Sequence, residues 1–438
     1  MSSIADAAET AWRRSPTGDT STEAARHAWR ALRIIEEVAP ETWFYSGFAN
    51  VVVRKTDDGL IVIDPGAFNN APEKQAAIRE QFPVSDVSNH VNTIVYTHGH
   101  VDHCFGAPLY VAEAEEHGTP APVVVGHEAI ARRFARYRET ISFNGIINLR
   151  QFRGGQGTPF WPDEYSAPTV TYRDRMTLDV GGVSLELTHA RGETDDATWL
   201  FFPDTKVLCT GDLFVWVAPN CGNPQKTQRF CLEWAEALQE MASLDAEVLL
   251  PGHGTPIFGA LRVRQALTET ATYLASIHDQ TIALMNQGLP LDTIVQQVRP
   301  PAELRDRPYL QPVYGEPEFM VRNIWRLYGG WYDGIPSHLK PAPEAEQARV
   351  IAELAGGADK LGTRALVALQ AGDSRLAGHL ADWAHFAAPD DASIRAVRRS
   401  VYEARQEDAG ATMAIGIFRT AAVEMGAEIK GSTFQAST

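Results

Sequence analysis

The run His98-Gly99-His100-Val101-Asp102-His103 packs four potential metal ligands into six positions and constrains this chain more than any other stretch. The segment before it, Val91-Asn92-Thr93-Ile94-Val95-Tyr96-Thr97, is rich in β-branched residues and bounded by polar ones. It predicts a strand with the cluster in the loop at its C-terminal end, where α/β folds place their chemistry. In an extended loop His98 and His100, two residues apart, point their imidazoles at one cation, while Asp102 and His103 lie past the turn and face a second. Two cations held close together share a water and make it a hydroxide near neutral pH. Metal binding and hydrolysis are therefore the first expectations.

Other segments extend the pattern. Phe48-Ala49-Asn50-Val51-Val52-Val53 and Asp58 to Gly66 read as a hairpin ending in Asp64, and Arg191-Gly192-Glu193-Thr194, Thr210-Gly211-Asp212-Leu213 and Pro251-Gly252-His253-Gly254 follow downstream. Together with the hexad they resemble the metallo-β-lactamase superfamily. The resemblance implies an α/β fold, an αββα sandwich, with a binuclear centre. It assigns His98, His100 and Glu193 to one cation, Asp102, His103 and His253 to the other, and Asp212 to the bridge. The third ligand position holds Glu where the superfamily has His; His189, four residues earlier, is the competing candidate. The run Gly192-Glu193-Thr194-Asp195-Asp196 is similar to the alkyl sulfatase branch, which also carries a carboxylate there.

A second, distant match points to the same branch. Tyr314-Gly315-Glu316-Pro317, Val321-Arg322-Asn323-Ile324 and Leu327 to Gly334, continued by Ala355 to Asp359 and Ala371-Gly372-Asp373, resemble the helical dimerisation domain of alkyl sulfatases. The implied organisation is a catalytic domain over residues 1–290, then an arm and an all-α dimerisation domain over 291–438. A homodimer is expected, since Tyr309, Tyr314, Phe319, Tyr328 and Tyr332 beside Trp325 and Trp331 are many aromatics for one small helical domain to bury. The larger alkyl sulfatases carry a further sterol-carrier-like domain; none is expected here, which argues against long-chain detergents.

The ligand set has consequences for the cofactor and the substrate. Its nitrogen ligands favour two Zn2+, with Mn2+ or Fe admitted by the carboxylates. Asp102, Glu193 and Asp212 with a bridging hydroxide neutralise two divalent cations, so an anionic substrate requires a protein cation nearby. The segment Pro219 to Arg229 offers Asn220, Asn223, Lys226 and Arg229 as substrate contacts, with Lys226 catalytic beside Asp102 and Asp212. In the resembling sulfatases an Arg near the Lys226 position grips sulfate. Lys lacks the bidentate fork of Arg. The expected substrate is a small anionic ester, an alkyl or related sulfate, with a lactone, thioester or phosphoester as the alternative.

With 438 residues, 44% hydrophobic and 21% charged, the chain is long enough for two cores. A formal net charge of -16 argues against nucleic acid and anionic membranes as partners. Cys104, Cys209, Cys221 and Cys231 show no paired metal spacing and suggest a reducing compartment. The polar first 15 residues and the want of a membrane-length apolar run make cytoplasm the expectation, without membrane insertion. Spacing of apolar residues predicts helices over about 20–38 and over Leu261 to Met285, and the Pro-rich stretch 289–317 reads as an arm outside the core. His127 is expected to start a helix, Asn144 to Gly155 to form a long loop that either roofs the pocket or lies on the surface, and Trp325 and Trp331 to pack between helices.

Overall fold

The structure, a computed structural model, describes residues 3–14, 31–67 and 69–426. Strands β1 (Ile35–Ala39), β2 (Thr42–Tyr45), β3 (Val51–Thr56), β4 (Gly59–Ile63), β5 (Val91–Val95), β6 (Val123–His127) and β7 (Val170–Tyr172) form one sheet in sequence order. Strands β8 (Arg175–Val180), β9 (Val183–Ala190), β10 (Ala197–Phe202), β11 (Val207–Val215), β12 (Val248–His253) and β13 (Ile257–Phe258) form the second. The first four strands are an antiparallel meander, whereas β4, β5, β6 and β7 run parallel. Parallel neighbours need crossovers, supplied here by the helices Ala71–Gln81, Ala107–His117 and, before β7, Ala129–Glu139 with Ile141–Arg153.

The strands are apolar on both faces because both faces are covered. Phe44, Val52, Ile61, Ile63, Val95 and Val125 of the first sheet pack against Leu185, Leu187, Leu200, Phe202, Val207, Cys209 and Leu250 of the second. Val51, Val53, Leu60, Val62 and Ile94 face the helical layer that includes Ile78 and Tyr110. The outer face of the second sheet is covered by the helices Cys231–Ala242 and Ala260–Asn286. The architecture is the αββα sandwich expected, and it is followed by helices Pro317–Gly329, Glu344–Ala355, Ala358–Gln370, Ser374–Ala387, Ala392–Asp408 and Thr412–Glu424. Four of these share a separate core of Ala352, Leu361, Ala365, Ala377, Ala381, Ile394 and Val401.

Several expectations need correction. The helix expected over 20–38 lies partly outside the described residues; residues 31–34 are not helical and Ile35–Ala39 is β1, because pairing with β2 and burial against the sandwich override helical spacing. Asn144 to Gly155 is not a loop but most of the helix Ile141–Arg153, ended by Gly154 at φ +58°. Its buried stripe is Asn144, Ile147 and Gln151, helical in period but mostly polar, so hydrophobic periodicity is silent there. His127 ends β6, and the next helix begins at Ala129. The Pro-rich arm belongs to the core: Leu291, Ile294, Val295, Val298, Leu304, Tyr309 and Leu310 are buried with the helix Ala260–Asn286. Trp325 packs against that core, but Trp331 is exposed.

Candidate metal centre

The hexad leaves the C-terminal end of β5, crosses an extended turn at His100 and enters a single helical turn, Val101–Cys104. Asp64 closes β4 in the left-handed region at φ +54°, a conformation that costs a non-glycine residue energy and recurs at functional sites. Its carboxylate accepts hydrogen bonds from Thr97 N at 2.8 Å and Thr97 Oγ1 at 2.6 Å, and lies 2.9 Å from His103 Nδ1. It therefore turns the Nε2 of His103 towards the centre. In the sequence Asp64 reads only as the end of a hairpin; its orienting role depends on the fold, which brings Thr97 and His103 to its carboxylate.

Strands β11 and β12 bring the distal residues in. Asp212 sits in β11 just past Gly211, at φ +49°, where the pairing register shifts. A Cβ at Gly211 would stand 2.6 Å from Thr97, and one at Gly252 only 2.2 Å from Asp212 Oδ1, so both positions require glycine for the strands to approach the hexad. His253 ends β12, with Nδ1 on the carbonyl oxygen of Phe48 and Nε2 facing inward at 3.4 Å from both Asp102 Oδ2 and Asp212 Oδ1. Asn50 Nδ2 donates to Pro251 O and Gly254 O, both at 2.9 Å, and braces the turn on either side.

Two ligand groups result. His98, His100, Glu193 and Asp212 converge in one, and Asp102, His103 and His253 in the other, each with donor atoms within 4.8 Å of one another. His98 Nε2 and His100 Nδ1 lie 2.8 Å apart, aimed at one point. Asp212 reaches both groups, with Oδ2 3.7 Å from His98 Nε2 and Oδ1 3.3 Å from His103 Nε2. Oδ1 is buried and, among the described residues, has no hydrogen-bond partner of normal geometry. An orphaned buried carboxylate oxygen facing two imidazole nitrogens is the signature of a site built for a cation. The residues fit two divalent metals.

Charge is distributed unevenly. Burial, then the neighbouring His103, pulls His98 down to about 4, and burial with His98 and Arg133 holds His100 well below the usual imidazole range. Burial opposes protonation of His103 and His253 too, but Asp212 and Asp102 outweigh it and raise both. Burial lifts Glu193 to about 7 against the pull of Arg229.

Glu193 is gripped closely. Arg229 Nη1 stands 2.5 Å from its Oε1 and donates to its backbone oxygen at 2.9 Å, while Asn220 Nδ2 donates to the same Oε1. His189, the rival candidate, stacks on His127 at 3.7 Å, bonds to Asp195 O at 3.0 Å and belongs to neither ligand group. Buried Arg133 binds Asp195 and Asp196, and Asp196 Oδ2 accepts Gly99 N–H at 3.2 Å, which pins the turn between His98 and His100.

The remaining sequence candidates line one side. Lys226 Nζ donates to Asn148 Oδ1 at 3.1 Å and sits 5.6 Å from the ring centre of Trp161. Burial, then Arg229, lowers it to about 8, although Asp102 and Glu193 draw it back up. Asn223 Nδ2 donates to Gln151 Oε1 at 3.3 Å and its Oδ1 accepts Gln225 N–H. Sequence reasoning missed Asn148, Gln151 and Tyr314, whose hydroxyl accepts from Gln151 Nε2 at 3.2 Å. Asn148 and Gln151 meet Lys226 and Asn223 across more than 70 residues, and Tyr314 meets Gln151 across 163, so no local spacing marks them as neighbours.

Two family models divide the chain between them: metallo-beta-lactamase superfamily over residues 45–253, and alkyl sulfatase dimerisation over 291–428. Residues 45–253 thus form a metallo-beta-lactamase superfamily domain. This protein also carries an alkyl sulfatase dimerisation domain and has alkylsulfatases as homologues. A linear primary-alkylsulfatase from Pseudomonas sp. (strain ATCC 19151) is 31% identical over 343 residues, 74% of this chain and 62% of that protein. An (R)-specific secondary-alkylsulfatase from Pseudomonas sp. is 28% identical over 400 residues, 84% of this chain and 58% of that protein. The chain thus spans about three fifths of the length of these relatives. The solved structure of the stereoselective inverting sec-alkylsulfatase Pisa1 from Pseudomonas sp. shares the fold, with a TM-score of 0.82 at 24% identity, covering 96% of this chain and 70% of that one.

Proposed function

We propose that this protein is a metal-dependent hydrolase of alkyl or related sulfate esters. The observation that carries the proposal is the pair of ligand groups joined by Asp212 in a chain whose relatives are alkylsulfatases. His98, His100 and Glu193 would hold one divalent cation and Asp102, His103 and His253 the other, with Asp212 between them. The two cations, zinc by the preponderance of nitrogen ligands, would activate water and polarise the ester. Asp64 and the carbonyl of Phe48 hold His103 and His253 in one tautomer each. Arg229 and Asn220 orient Glu193 and are spent on it, which leaves Lys226 as the cation for the anionic head of the substrate. Asn148 and Trp161 hold that ammonium in place.

Chelator-treated protein reloaded with Zn2+, Mn2+ or Fe2+ and offered alkyl sulfates, phosphate monoesters and lactones tests this reading. Sulfate release dependent on metal is expected. Turnover of the lactone or phosphate panel without sulfate release would favour the other-ester reading, which is supported by a Lys where the sulfate-gripping Arg was expected.

We also propose a homodimer in the cytoplasm. Leu327, Tyr328, Trp331, Tyr332, Ile335 and Leu339 are exposed in succession within the segment matching the dimerisation family, an apolar patch suited to a second copy. The four buried, unbridged cysteines support a reducing compartment. Light scattering at micromolar concentration is expected to return twice the chain mass of 48.1 kDa.

A further inference from the structure

Lys74 is 1% exposed, an unusual place for a lysine. It stands in the helix Ala71–Gln81 and threads its stem between two glycines of different loops. A Cβ on Gly66 would meet its Nζ at 2.6 Å and its Cδ at 2.7 Å, and one on Gly47 would meet its Cε at 3.2 Å. Its Nζ donates to Ala49 O at 2.7 Å. Each contact leads to a different histidine. Ala49 lies between Phe48, whose carbonyl takes His253 Nδ1, and Asn50, whose N–H bonds Gly252 O at 2.8 Å and whose side chain braces Pro251 and Gly254. Gly66 N–H bonds His103 O at 3.1 Å.

We propose that Lys74 is a positioning residue for the second ligand group, clamping the two loops that aim His253 and His103. The inference rests on the two-cation reading of the centre. The first group is held by other residues: its turn is pinned by Asp196 and Arg133, and Glu193 by Arg229. The fixed charge of Lys74 also falls on Asp102 and Asp64, the carboxylates of the same half; these oppose the effect of burial, which lowers the ammonium to about 8. A buried ammonium with one identified acceptor is costly to keep. Replacing it by an apolar side chain of similar length removes the clamp together with that burial cost, which offsets the donor lost by Ala49 O.

The test is competitive titration of the chelator-treated full chain with Zn2+ against a chromophoric chelator, for wild type, Lys74→Met and Asn50→Ala. Wild type is expected to take two Zn2+. In Lys74→Met the first is expected to bind within about twofold of wild type and the second about 10- to 100-fold more weakly, the usual cost of losing an outer-shell partner. Asn50→Ala is expected to repeat that selective loss, and Lys74→Met to retain the thermal midpoint of the metal-free wild type. Two equally tight Zn2+ in Lys74→Met would overturn the inference. So would loss of both, which marks a merely structural lysine. Fewer than two Zn2+ in wild type would instead sink the two-cation reading itself.

Discussion

The two ligand groups share Asp212 and little else. In the first, burial and His103 lower His98, while burial, His98 and the cations Arg133 and Arg229 lower His100, and both are held neutral. In the second, Asp64, Asp102 and Asp212 crowd His103 and raise it, and the latter two do the same to His253. The contrast lies in how the carboxylates are compensated. Glu193 arrives already paired with Arg229, whereas Asp102 and Asp212 face the imidazoles of His103 and His253, with Lys74 and Lys226 acting on Asp102 from further away. The first group is thus a preformed neutral pocket, and the second is electron-rich and held by its loops.

Removing the shared residue breaks the comparison altogether. Asp212→Ala is expected to empty both groups and to lower turnover by about 10³-fold or more, since every cation-dependent contribution goes with it. Elemental analysis after desalting checks this; two metals retained per chain would show that Asp212 does not bridge.

Arg229→Met tests the compensation of the first group. It strands a buried carboxylate, and breaking a buried pair from one side costs about 3–5 kcal/mol. Denaturant unfolding of the chelator-treated protein is expected to show that loss. In the metal-loaded protein the loss should be smaller, because a cation replaces the guanidinium. Equal losses in both states would place Arg229 outside the electrostatics of Glu193.

Lys226→Ala sharpens the comparison from the substrate side. Anionic substrates are expected to lose about 10²-fold in kcat/KM, with neutral esters nearly unchanged. Parallel losses on both classes would make Lys226 structural. The smallest effect is in the pH profile. Burial lowers Lys226 to about 8, so its positive charge is present below that pH and lost above it. For anionic substrates kcat/KM is expected to fall as pH rises through about 8, and the Lys226→Ala profile to lack that limb. A limb that persists in the variant would belong to another group.

Much of this was legible in the chain because the signals are local. The hexad after a β-branched strand and the hairpin ending at Asp64 each depend on residues a few positions apart. The helix Ala260–Asn286 has the expected extent within a residue at either end. Where local signals were weak, tertiary context prevailed. β1 took a segment with helical spacing, and the Asn144–Gln151 stripe, buried but polar, formed a helix that reads as a loop.

By itself the sequence determined which residue types were available to hold metal, the order of strands and helices that carries them, and the division into a sandwich and a helical half. It could do so because strand and helix periods and ligand spacings are written within single elements. Only the tertiary structure decided which of the remaining charges are free. Arg229 is committed to Glu193, 36 residues away, and His253 is aimed by a carbonyl 205 residues away. Lys74 is fully buried between loops of both histidines. These pairings come from the packing of the two sheets and the loops at their ends, and no residue carries that information alone.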